Sequence, residues 1–151
     1  MQKPKKILLA TDHAGFELKE SLKFFLKELG YEIEDKGAFE YNSEDDYPDF
    51  IKPVAKEVSE NPDEFKAIIL GGSGQGEAMT ANRFKNVRAA VYNFLDFDII
   101  KLSREHNDAN ILSLGARFLT EDHAKEAVKL WLETPFSEEE RHIRRIQKIE
   151  N

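Results

Sequence analysis

Five short apolar runs, each handing over to a stretch with helical spacing, constrain this chain more than any other feature. The runs are 6–11, 31–35, 67–70, 87–92 and 111–114. Helices are expected over 16–29, 51–58, 78–84, 96–105, 121–133 and 138–149. In the first of these, Leu18, Leu22, Phe25, Leu26 and Leu29 recur at three- and four-residue intervals, and Gly30 follows as a stop signal. The last carries Ile143, Ile146 and Ile149. Tyr47-Pro48 is expected in the loop before the second helix. Strand–helix alternation of this kind predicts an α/β fold with a mostly parallel sheet covered on both faces. With 151 residues, 40% of them hydrophobic, one domain can bury roughly 70% of its unfolded surface without staples. Trp131 and the pair Phe24-Phe25 are expected in the core or an interface, and His123 and His142 on the surface.

Ligands of such folds bind outside the carboxyl ends of the strands, at a topological switch point. The residues expected there are Asp12-His13, Gly71 to Glu77, and Gly115 to Arg117. Composition narrows the chemistry. There are no cysteines, which removes disulfides, thiolate nucleophiles and Cys-ligated metals. The formal net charge of −7 repels nucleic acid and anionic membranes, so an anionic ligand needs a local cluster of Arg and His. No apolar run approaches the ~20 residues of a membrane span. The basic segment Met1–Lys6 leads straight into the first strand and lacks a secretory cleavage pattern. A cytoplasmic location is the expectation.

The run Gly71-Gly72-Ser73-Gly74-Gln75-Gly76-Glu77 closes the third strand and opens a helix. Glycines let the backbone come close to a ligand, and the helix start offers free N–H groups to an anion. No Lys-Ser/Thr pair follows, so it is not a Walker A loop. The dinucleotide fingerprint also fails, because the third glycine is missing at the needed spacing and the loop follows the third strand. A tight strand-to-helix turn would need similar glycines. Glu77, in the first turn, could merely complement the helix dipole. Beside a partly dry cleft, such a carboxylate can instead be tuned to act as a general base.

Seven segments, taken in order, carry a resemblance. They are Thr11-Asp12-His13-Ala14-Gly15, Asp46-Tyr47-Pro48-Asp49, the glycine run with Glu77, Ala81-Asn82-Arg83, Arg104 to Asn110, Leu114-Gly115-Ala116-Arg117 and Arg141-His142-Ile143-Arg144-Arg145. As a set they closely resemble the type B ribose-5-phosphate isomerases, a family that includes the subunits of galactose-6-phosphate isomerase. The resemblance spans nearly the whole chain. It implies a Rossmann-like three-layer α/β/α sandwich with a five-stranded, mostly parallel sheet and an extra C-terminal helix. It also implies a homodimer or dimer of dimers, with sites shared between subunits and segment 136–151 at the interface. Many members place a cysteine base at the end of the third strand. This chain has Gly71 there, and resembles the branch in which a glutamate just past the glycine run takes that role.

The resemblance implies the reaction and its residues. An aldose phosphate and a ketose phosphate interconvert through an enediolate, with ribose 5-phosphate and ribulose 5-phosphate as the expected pair and neither metal nor other cofactor. His106 would open the sugar ring, with Asp12 at the hydroxyls. Glu77 would carry the proton from C2 to C1. The amides of Gly72, Gly74 and Gly76, the Ser73 hydroxyl and the Asn107 side chain would hold the enediolate. The phosphate would fall to His13, Arg141 and Arg145, with Arg117 contributing, and Tyr47 would line the sugar pocket. Arg141 and Arg145, four apart, share a helix face, although Glu138 to Glu140 before them equally suit a solvated surface helix. Alternatives stay open: the same chemistry on a hexose 6-phosphate of allose or galactose type, a non-catalytic sugar-phosphate-binding subunit, or a flavodoxin-like cofactor binder.

Overall fold

The computed structural model describes residues 3–151; the first two residues of the basic N-terminal segment lie outside the described residues. Five strands, β1 (Lys6–Thr11), β2 (Ile33–Asp35), β3 (Phe65–Gly71), β4 (Ala89–Tyr92) and β5 (Ile111–Gly115), form one sheet in the order β2-β1-β3-β5-β4. Every neighbouring pair is parallel. The helices are α1 (Phe16–Glu28), α2 (Tyr47–Glu60), α3 (Gln75–Ala81), α4 (Phe97–Glu105), α5 (Glu121–Glu133) and α6 (Glu140–Glu150).

The strands bury both faces, as their near-continuous apolar sequences require. Ile7 and Leu9 point into one core with Leu22 and Leu26 of α1, Ile100 of α4, and Val128 and Trp131 of α5. Leu8 and Ala10 point the other way, against Ile51, Val54 and Val58 of α2 and Ala81 of α3. The result is the expected three-layer sandwich. No helix among the described residues is long and apolar enough to cross a membrane.

Two helices begin earlier than their apolar spacing suggests. α2 starts at Tyr47, because Pro48 lies in the first turn, where its missing N–H costs no intrahelical bond. α3 starts at Gln75 inside the glycine run, entered through Gly74 in the left-handed region, at φ 82°. The expected strand over 87–92 is shorter, Ala89–Tyr92.

Some side chains also differ from expectation. His142 is buried, at 4% exposure, while Ile143 and Ile149 of α6 face outward. α6 docks through polar groups instead: Glu150 takes an ion pair from Arg88 at 2.9 Å and a hydrogen bond from the Asn86 N–H at 2.8 Å. His123 is half-buried, stacked on Tyr92, with its Nε2 2.5 Å from the Tyr92 hydroxyl. Trp131 is core, Phe25 packs against it from the edge, and Phe24 is exposed.

Candidate active site

The chain leaves β1 through α1 toward β2 on one side, then returns through α2 to β3 on the other. The switch point therefore lies between the carboxyl ends of β1 and β3. A cavity of about 330 Å³ opens there, lined by Asp12, His13, Tyr47, Ser73, Glu77 and Arg117, among others.

Its floor is fixed by the strand ends. The Thr11 hydroxyl lies 3.1 Å from the Leu70 carbonyl oxygen and 2.9 Å from that of Asp12, tying β1 to β3. Asp12 then turns its carboxylate back to accept the Ala14 N–H at 3.0 Å, capping a short 3₁₀ turn over His13–Gly15. Burial pushes the Asp12 carboxyl up, against the Ala14 N–H and the nearby His13 and Arg117 charges.

The glycine loop is held from three directions. Asn93 donates to the Ser73 carbonyl at 2.9 Å, and Ser113 donates to the Gly74 carbonyl at 2.5 Å. The Arg117 N–H donates to the Gly72 carbonyl at 3.1 Å. So braced, the loop keeps its amides in place with little reorganisation. Asn93 and Ser113 carry no motif in the sequence; they matter only because β4 and β5 end beside the loop.

Glu77 sits in the first turn of α3, 4% exposed. Its carboxylate fills the space beside Gly71 where a side chain would stand: a Cβ on Gly71 would collide with both carboxylate oxygens. Any residue but glycine at 71 displaces Glu77. Gly76 is needed for a similar reason, since a Cβ there would lie 2.6 Å from the Tyr47 hydroxyl. No cation pairs with Glu77 among the described residues. Burial raises its pKa, partly offset by its own backbone N–H and reinforced by Asp12. A raised carboxyl of this kind holds its proton more readily than an exposed glutamate.

His13 stands at the rim. Its Nδ1 lies 2.7 Å from Asp45 Oδ1, and its backbone N–H donates to the same oxygen at 3.1 Å. The Asp45 hydrogen bond raises the His13 pKa, with burial opposing and Asp12 helping. Asp45 is absent from the sequence-derived set. Its contact with His13 spans 32 positions, and only the acidic run before α2 hints at it. Asp12, His13 and Asp45 also hold three possible metal-ligating atoms within 4.8 Å of one another. Two of these atoms, His13 Nδ1 and Asp45 Oδ1, already lie against each other at 2.7 Å.

The structure thus gathers Asp12, His13, Tyr47, Gly72, Ser73, Gly76, Glu77 and Arg117 around one cavity. Gly74 lies in the loop behind it. Four expected residues are not there. α4 starts past the carboxyl end of β4 and runs back, so its cap His106 and the following Asn107 lie at the amino end of the sheet. There the Asn107 carbonyl accepts from Arg88 just before β4, at 3.0 Å. That is one strand length, on the order of 15 Å, from the cavity. Arg141 and Arg145 are exposed on α6, beside the same end. His106 stacks on His142 with ring centroids 4.2 Å apart.

Comparison with known proteins gives a consistent result. The family model described as Ribose/Galactose Isomerase matches residues 7–149. A ribose-5-phosphate isomerase B from Mycolicibacterium paratuberculosis is 39% identical over 93% of this chain and 87% of its own length. A crystal structure of ribose-5-phosphate isomerase B from Mycoplasma genitalium with bound ribulose-5-phosphate superposes with a TM-score of 0.91. It is 37% identical, over 95% of this chain and 93% of that one. The Thermotoga maritima ribose 5-phosphate isomerase is 43% identical, with a TM-score of 0.88 over 96% and 97% of the two chains. Its sequence and its all-parallel sandwich alike place this chain in the Ribose/Galactose Isomerase family.

Proposed function

We propose that the chain interconverts ribose 5-phosphate and ribulose 5-phosphate by proton transfer through an enediolate, with Glu77 as the base. The observation that carries this reading is Glu77 itself: buried, without a cation partner among the described residues, its pKa raised, in a cleft at the switch point of the sheet. One carboxylate serves both carbons because C1 and C2 are adjacent. Deprotonated Glu77 removes the C2 proton from the open-chain aldose. Negative charge develops on the carbonyl oxygen at C1, within reach of the braced loop amides and the Ser73 hydroxyl. Each such donor typically contributes ~3 kcal/mol in the transition state. Protonated Glu77 then delivers to C1, while the hydroxyl proton moves from the C2 oxygen, which becomes the ketone, to the C1 oxygen, which becomes the hydroxyl. Donors fixed in advance do the electrophilic work, and the scheme asks for no metal. Ribulose-5-phosphate in the Mycoplasma genitalium relative is one side of this pair.

His13 and Arg117, at the cleft rim, suit the phosphate, and guanidinium and imidazolium donors match its oxygens. The remaining groups, His106, Asn107, Arg141 and Arg145, reach a site only in a second copy of the chain. α6 presents Ile143 and Ile149 outward beside them, a surface that a partner copy would cover. In that assembly His106 of one protomer opens the ring above Glu77 of its partner.

A complementation assay tests both parts. Glu77→Gln and His106→Asn proteins, each nearly inactive alone, recover activity on ribose 5-phosphate when unfolded and refolded together, because mixed pairs contain one intact site. Absence of recovery, with mixed pairs verified, contradicts the shared site. A panel of pentose and hexose phosphates, assayed for ketose formation with chelator present, tests the substrate; faster turnover of allose or galactose 6-phosphate would replace ribose 5-phosphate in this reading.

A further inference from the structure

The least expected contact at the cleft is the one between Asp45 and His13. Asp45 lies in the loop before α2, and its side chain is only 9% exposed. One oxygen, Oδ1, receives both the His13 backbone N–H at 3.1 Å and the Nδ1 side of the ring at 2.7 Å. The other, Oδ2, is buried with no hydrogen-bond partner among the described residues. A buried carboxylate with one bare oxygen is costly unless its charge is answered, and the nearest answer is the imidazole. Ring nitrogen Nε2 has no partner among the described residues, so a hydrogen bond at Nδ1 leaves Nε2 as the nitrogen available to a ligand in the cleft.

We infer that Asp45 is a positioning residue for His13: by holding the Nδ1 proton it fixes the ring and keeps Nε2–H as a charged donor to the phosphate of the substrate. The inference rests on the reading of His13 as a phosphate contact. Four groups face the ring. Asp12, on the same turn, has Oδ2 3.9 Å from Nδ1. Asp45 and the edge of Tyr41, with ring centroids 6.1 Å apart, come from the loop before α2. Arg117, from the turn after β5, opposes the charge. With Arg117 beside it, an unsupported imidazole would lose its proton more easily and leave the phosphate one donor short. Asp45 offsets that repulsion without itself touching the substrate.

A purely structural Asp45 would only tie the loop to the 3₁₀ turn, and Asn can accept the same two hydrogen bonds. The Asp45→Asn variant therefore separates the two roles. Imidazole resonances of the full-length wild type and variant are followed against pH by NMR, with His13 assigned through His13→Gln. Inorganic phosphate binding is measured on the same samples. The expected result has three parts. The neutral wild-type ring carries its proton on Nδ1, the His13 midpoint moves to lower pH in the variant, and phosphate binds about fivefold more weakly at pH 7.5. The binding gap closes as pH falls below both midpoints, where both rings are charged. Coincident midpoints and equal phosphate affinity would overturn the role of Asp45. A lowered midpoint with phosphate affinity unchanged at every pH would instead overturn the premise that His13 grips phosphate.

Discussion

Two acids, half-buried Asp35 and buried Glu77, stand at the carboxyl ends of strands on either side of β1, and their surroundings are opposite. Asp35, at the end of β2, accepts from Lys19 at 2.6 Å, Lys23 at 2.7 Å and the Gly37 N–H at 2.9 Å. Burial works to raise its pKa, but those three donors outweigh it and leave the carboxyl below its usual range. Glu77, past the end of β3, has glycines where Asp35 has lysines, and burial raises it unopposed by any cation. The first acid is neutralised and holds loop to sheet. The second is held in a state it would leave if a proton were offered. Burial alone therefore does not single out the acid proposed as base; burial without a cation partner among the described residues, at a switch point, does.

The comparison breaks if the two acids respond alike to loss of charge. In the Glu77→Gln variant, kcat on ribose 5-phosphate falls about a thousandfold with KM within a few-fold of wild type. Its Tm near pH 8 rises, since an unpaired buried charge is gone. Asp35→Asn does the reverse. It strands the fully buried Lys19 and costs about 3–5 kcal/mol of stability, read by denaturant unfolding, while kcat per folded molecule changes little. Equal stability losses in the two variants would erase the distinction.

A smaller effect sharpens it. Gly71→Ala places a methyl where the Glu77 carboxylate lies and pushes the base off its position, lowering kcat about a hundredfold. A comparable loss in Gly71→Ala made on a Glu77→Gln background would show that glycine serves something other than Glu77. Arg145→Ala, acting from outside the cleft, raises KM for ribose 5-phosphate about tenfold with a lesser effect on kcat. An unchanged KM would remove Arg145 from the phosphate grip.

The smallest effects are in pH dependence, and their signs differ. Glu77 binds its proton more tightly folded than unfolded. Stability therefore declines as pH rises from the ordinary glutamate range through the raised folded value, and stays lower above it. The same raised value sets the acid limb of kcat/KM, because only deprotonated Glu77 is a base. For Asp35 the stabilisation is present above the unfolded aspartate value and is lost as pH falls through the lowered folded one. Urea midpoints against pH for wild type, Glu77→Gln and Asp35→Asn separate the two contributions; a wild-type curve parallel to that of Glu77→Gln would contradict the raised acid.

The sheet was legible in the sequence because each strand is an apolar run with a helix behind it. The cleft was legible because Asp12, the glycine run and Arg117 all sit at strand ends. Four things were not. Pro48 reads as a loop residue, although a helix tolerates proline in its first turn. His142 reads as a surface residue, yet it packs inward while Ile143 and Ile149 face out, because α6 is anchored through Glu150 and Arg88. And no local pattern says that His106 and Glu77 stand at opposite ends of one sheet, since that depends on the return direction of α4. Asp45 escaped for a related reason: its meaning comes from a ring 32 positions away.

Exchange with solvent reads directly the step proposed for Glu77, removal of the substrate proton. Wild type and Glu77→Gln are incubated with ribose 5-phosphate in heavy water, and loss of the C2 hydrogen is followed by NMR together with ribulose 5-phosphate formation. Wild type is expected to form product, and the variant neither to form it nor to exchange the C2 hydrogen over many wild-type turnovers. Exchange of that hydrogen by Glu77→Gln at the wild-type rate would contradict that proposal.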